Sequence, residues 1–110
     1  MRTLVSVVPE LVIQVGAALA TEGRSDLVPQ IASGVIERCT YDASADAGYI
    51  YLLRPAPSPH FAKLAAPVAE TIPFLEVGFN VDVDHDGHIL GIEILSRPDF
   101  FEKLREANAI

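Results

Sequence analysis

The sequence predicts an α+β fold: an antiparallel β-meander of about four or five strands with an N-terminal helical extension and a C-terminal helix. Apolar residues recur at helical spacing up to Gly23, alternate with period two across residues 35–95, and return to helical spacing after Pro98. At 110 residues the chain reads as one domain, with 1–33 as the helical extension, 35–96 as the β core and 97–107 as the last helix.

The first helix starts from Ser6 as N-cap, with Pro9 tolerated in the first turn and Glu10 near the positive helix end. Val8, Leu11, Val12, Val15 and Leu19 keep helical spacing, and Gly23 ends the helix. Ile13, Ala17, Ala18 and Ala20 widen the apolar surface beyond the ~100° stripe that one sheet face covers. The excess is expected to be hidden against a second copy of the chain, making a dimer through this helix. Ser25 or Asp26 is placed to cap a short second helix running to about Ile31.

The period then changes. Val35, Cys39 and Tyr41 share one face of a strand on which Glu37 is the exception. Asp42 to Asp46 is a turn, because Asp accepts backbone N–H groups two residues on. Residues 47–53, with Tyr49, Ile50 and Tyr51, form the second strand. Arg54 to Pro59 reads as a stiff linker and 60–66 as a helical turn. Pro73 separates two short strand pieces and places that strand at an edge or a bend. Ser96-Arg-Pro-Asp99 opens the last helix, along which Phe100, Phe101, Leu104 and Ala107 follow helical spacing.

Residues 82–93 admit two readings. Asp82, Asp84, Asp86, Gly87 and Glu93 match a calcium-loop pattern. Yet a calcium loop of that class needs a helix on each side, and Pro73, Gly78 and the alternation of Val77, Phe79, Val81 and Val83 forbid the entering one. The preferred reading is a β-hairpin turning at Asp86-Gly87, with His85 opposite His88, Val83 opposite Leu90, Val81 opposite Ile92 and Phe79 opposite Ile94. All six large apolar residues then share one face, and Asp82, Asp84 and Glu93 point to solvent.

No other pattern carries chemistry. The net charge of −7 and the scattered basic residues disfavour nucleic acid and anionic membranes as partners. Cys39 is alone, which leaves no intrachain disulfide and suits the cytoplasm. The start of the chain has the outline of a secretion signal, but Pro9, Glu10 and Gln14 interrupt its apolar run, which is also too short to span a membrane. His60, His85 and His88 lack ligand spacing on one helix, Asp42 and Asp46 fit turn capping better than acid/base work, and Tyr41, Tyr49 and Tyr51 read as packing. No catalytic, cofactor-binding or metal-ligating residue is assigned.

TYDASADAGYIYL (residues 40–52) and VDVDHDGHILGIEIL (residues 81–95) resemble the signature segments of a small bacterial family, domain of unknown function 2283. Its members read YD-x-x-x-D-x-x-YI-x-L, a Thr-containing strand, then D-x-D-x-x-G-x-x-x-GIEIL. The resemblance covers residues 35–96 and includes Thr71 and Gly91, while Gly48 stands where the family has a large apolar residue and 55–67 lengthens a connection. It implies the fold and supplies no activity. The expected function is a non-enzymatic, self-associating interaction module that acts as a homodimer or pairs with another small bacterial protein. The alternative is weak divalent-cation binding by Asp82, Asp84, Asp86 and Glu93.

Overall fold

A computed structural model describes residues 2–53 and 68–110 of the chain. The linker expected from Arg54 onward, the turn at 60–66 and His60 lie outside the described residues. Helix α1 (Leu4–Val7) is capped by Thr3, whose hydroxyl accepts from the Ser6 N–H while Ser6 Oγ accepts from the Thr3 N–H. Ser6 is therefore the far arm of a capping box and not the cap itself. Helix α2 (Pro9–Thr21) follows as a separate piece. Pro9 has no N–H to donate and excludes Val8 from helical geometry, so Val8 sits at φ −133° and the chain bends. Gly23 ends α2 at φ +74°, and the Arg24 N–H reaches back to Leu19 O at 2.8 Å.

A 3₁₀ turn (Ser25–Leu27) leads into α3 (Val28–Ala32), and neither Ser25 nor Asp26 makes the expected cap. Leu11, Val15 and Leu19 of α2 join Leu4, Leu27 and Ile31 in the core.

Five strands follow: β1 (Ile36–Asp42), β2 (Ala47–Leu52), β3 (Glu70–Phe74), β4 (Phe79–Val83) and β5 (Ile89–Leu95). They form one antiparallel sheet, which with the helices makes the fold α+β as expected. The order β1-β2-β5-β4-β3 is not the expected meander, because β2 pairs with β5. Pro73 supplies the reason. A meander would put β3 in the middle of the sheet, where a residue without an N–H breaks the ladder; at the edge it costs little.

The first strand carries a bulge. Ile36 pairs with Leu52 but Arg38 pairs with Tyr51, which leaves Glu37 as the extra residue. That removes the exception seen in the sequence: Ile36 is buried where Val35 was expected, and Glu37 is exposed.

The β4–β5 hairpin keeps the expected pairs Phe79–Ile94 and Val81–Ile92, but Val83 lies opposite Ile89 instead of Leu90. The turn has three residues rather than two. The Asp84 N–H donates to His88 O at 2.9 Å, the Gly87 N–H donates to Asp84 O at 3.2 Å, and Gly87 alone of the turn residues has positive φ, at +81°. This is a type I turn closed by a left-handed glycine, not a type I′ turn. One residue, Leu90, is then surplus in β5, and Ile89 takes its place in the core.

Helix α4 (Pro98–Glu106) buries Phe100, Phe101 and Leu104. Phe101 lies 4.3 Å from Tyr41 between ring centroids, and Phe100 lies 5.8 Å from Phe79, so α4 packs on the inner sheet face alongside the N-terminal helices. A Cβ at Gly48 would lie 2.6 Å from Phe101 Cε1. The nearest atom to such a Cβ is Thr40 O, so the β1 backbone and the Phe101 ring together leave no room for a side chain here.

Candidate functional site

Polar side chains gather on the outer face of the sheet and at the β4–β5 turn. On the outer face the alternation that buries Ile50, Val81 and Ile92 turns Tyr49, Tyr51, Asp82 and Glu93 outward. Tyr49 donates to Asp82 Oδ2 at 2.7 Å, reaching across β5, and Thr71 donates to Asp82 Oδ1 at 2.6 Å. Gly91 makes that reach possible, since a Cβ there would stand 2.7 Å from Tyr49 Cζ. Burial, and then the bond to Asp82, pushes the Tyr49 phenol well above its ordinary pKa. Asn80 donates to Glu93 at 2.7 Å, and the Arg38 guanidinium lies 3.8 Å above the Tyr51 ring.

At the turn, Asp84 is buried, not solvent-facing as expected. Its Oδ1 accepts from the Asp86 and His88 N–H groups, each at 2.9 Å. This side-chain capping is what makes the three-residue turn more favourable than the two-residue one. His88 Nδ1 lies 3.6 Å from Asp84 Oδ2. Asp84, Asp86 and His88 offer ligand atoms within 4.8 Å of one another. The structure thus brings together two members of the acidic quartet with a histidine, while Asp82 and Glu93 stand on the sheet with other partners. His85 is exposed within the turn and does not face His88, because the closing pair is Asp84–His88.

The remaining candidates act locally. Asp42 accepts from the Ser44 hydroxyl at 2.6 Å and from its N–H at 3.0 Å, which holds its carboxyl below the usual range. Asp46 accepts from the Tyr41 hydroxyl at 3.1 Å. Burial pushes the Cys39 thiol up to about 11, away from the thiolate that reactivity requires.

Sequence reasoning missed Gln30. Its side-chain amide donates to Gly87 O at 2.7 Å and accepts from the Ile89 N–H at 2.8 Å, pinning α3 to the turn. A lone Gln in a short helix carries no signal for this; only the fold brings residue 30 to residue 89. Reasoning also missed the cleft beside the β3–β4 turn.

These features define a class: an antiparallel sheet with helices on one face and a tyrosine–aspartate network on the other. The chain belongs to the family described as Protein of unknown function (DUF2283), whose profile matches residues 38–96. No curated protein and no solved structure is significantly similar to it. Of the residues that carry the resemblance, Tyr49, Thr71, Asp82, Asp84, Gly87 and Gly91 fall in the two clusters described above, while Tyr41, Asp42 and Asp46 bond locally at the β1–β2 turn.

Proposed function

We propose that this protein is a non-enzymatic interaction module that self-associates, most simply as a two-fold dimer packed through α2. The observation behind this reading is Ile13. It is 70% exposed in the middle of a helix whose other face builds the core, and Ala17 and Ala20 are exposed on the same side. Burying such a surface yields roughly 25 cal/mol per Å². The proposed setting is the bacterial cytoplasm, where a lone thiol is ordinary, and the net charge of −7 argues against nucleic acid and anionic lipid as partners. Among the described residues no helix is long and apolar enough to cross a membrane. Analytical ultracentrifugation tests the reading. Wild type is expected to sediment as a dimer and Ile13→Glu as a monomer at about 100 µM; a wild-type monomer at that concentration refutes it.

Weak cation binding is the second reading, favoured by the 4.8 Å grouping of Asp84, Asp86 and His88. Against it, Asp84 Oδ1 is already committed to two backbone N–H groups. Millimolar Ca²⁺ or Zn²⁺ is therefore expected to leave the melting temperature where salt alone leaves it. A site held at 100 times its Kd would instead add about 2.7 kcal/mol, and a rise of that size abolished by Asp86→Asn with His88→Ala would promote this reading.

A further inference from the structure

A cleft of about 460 Å³ opens between the C-terminal half of α2 and the β3–β4 turn. Ala18, Pro73, Phe74, Leu75 and Val77 supply its apolar walls, and Thr21, whose hydroxyl donates to Ala17 O at 3.0 Å, lines it beside them. Leu75 is 72% exposed and Val77 37% exposed, so two large apolar side chains stand in water at its mouth. The turn that presents them is held firmly. The Val77 N–H donates to Phe74 O at 3.1 Å, and Arg97 Nη1 donates to Val77 O at 3.0 Å while also bonding Gln14 of α2 at 3.0 Å. Such pre-ordering lowers the entropic cost of receiving a ligand.

The charges around the cleft say what kind of occupant fits. Glu22 and Glu76 line it, both are exposed, and neither makes an ion pair among the described residues. The neighbouring cations are already committed, Arg24 to Glu70 and Asp26, and Arg97 to Asp99. The cleft is thus apolar inside and negative at its rim. A second copy of a chain with net charge −7 is poorly matched to it.

We propose that this cleft docks a segment of a different protein, one that presents large apolar side chains flanked by lysine or arginine. Ala18 leaves room on the helix wall, and the volume lies within the ~300–1,000 Å³ of ordinary binding pockets. The apolar side chains would bury against Phe74, Leu75 and Val77, while the basic flanks meet Glu22 and Glu76.

The test is fluorescence anisotropy with a fluorescein-labelled peptide carrying leucines at helical spacing and lysines between them. Saturable binding is expected, weakened about tenfold or more by Leu75→Glu and by Glu22→Lys with Glu76→Lys. Asp42→Lys with Glu102→Lys, the same charge change elsewhere, is expected to weaken it no more than about twofold. Circular dichroism establishes that each variant is folded. No saturable binding up to about 1 mM, equal loss in both charge variants, or unchanged binding by Leu75→Glu overturns the proposal. Running every titration in wild type and in Ile13→Glu keeps the outcome separate from that of self-association.

Discussion

Tyr49 and Asp82 sit on strands that are not neighbours, yet the Tyr49 hydroxyl donates to Asp82 Oδ2 at 2.7 Å over the backbone of β5. The bond closes only because Gly91, between them, has no side chain. Tyr49, Asp82 and Gly91 thereby become one device, with Thr71 as a fourth member that satisfies the other carboxylate oxygen. The device ties β2, β4 and β3 together on the face that the helices leave open. It gives Tyr49, Thr71, Asp82 and Gly91 a shared structural role in this chain.

A pH dependence follows. The folded protein holds the Tyr49 proton more tightly than the unfolded chain, in which a phenol has its ordinary pKa of 10.0. The native state then binds more protons than the unfolded state above that pH, so stability from this group is full below it and falls as pH rises further. An ultraviolet absorbance titration should show one tyrosine ionising only with alkaline unfolding. Tyr49→Phe should lose that phase and, leaving Asp82 short of a donor, unfold earlier by about 1–2 kcal/mol. If Tyr49 ionises while circular dichroism stays native, the network is weaker than its geometry implies.

Gly87 gives a backbone test. Nothing lies within 4 Å of a Cβ placed there, so the penalty for any side chain comes from φ +81° alone. Gly87→Val should lower stability by more than ~1 kcal/mol, read from denaturation midpoints. An unchanged midpoint would mean the turn does not hold a left-handed residue at this position.

How much of this was legible in the sequence varies with the range of the interaction. The hairpin pairs Phe79–Ile94 and Val81–Ile92 follow from alternation, and the Asp42–Ser44 turn follows from the reach of an Asp side chain to an N–H two residues on; both signals are local. The turn at Gly87 was misread by one residue because Asp84 buries its carboxylate to cap two N–H groups, and a carboxylate in a DVDHDG run reads as solvent-facing. The strand order was half legible. Pro73 already argued for an edge, and an edge position is incompatible with the third place in a meander. The clamp from Gln30 and the cleft at Leu75 depend on contacts between distant segments, to which neither periodicity nor spacing is sensitive.

Gln30 offers the sharpest check on that long-range architecture. Its amide serves Gly87 O and the Ile89 N–H at once, so both of its ends are needed. Gln30→Ala strands both backbone groups and should cost about 1–2 kcal/mol. Gln30→Glu preserves the acceptor for Ile89 but sets a carboxylate against the Gly87 carbonyl. At neutral pH it should therefore be at least as destabilising as alanine. As pH falls below the ordinary glutamate pKa of about 4.3, the carboxyl regains a proton to donate, and the gap between Gln30→Glu and wild type should narrow while that of Gln30→Ala does not. Denaturant midpoints of the three proteins across that range, with hydrogen exchange at the Ile89 amide, measure this. Parallel behaviour of the two variants at every pH would show that the donor half of the clamp contributes nothing.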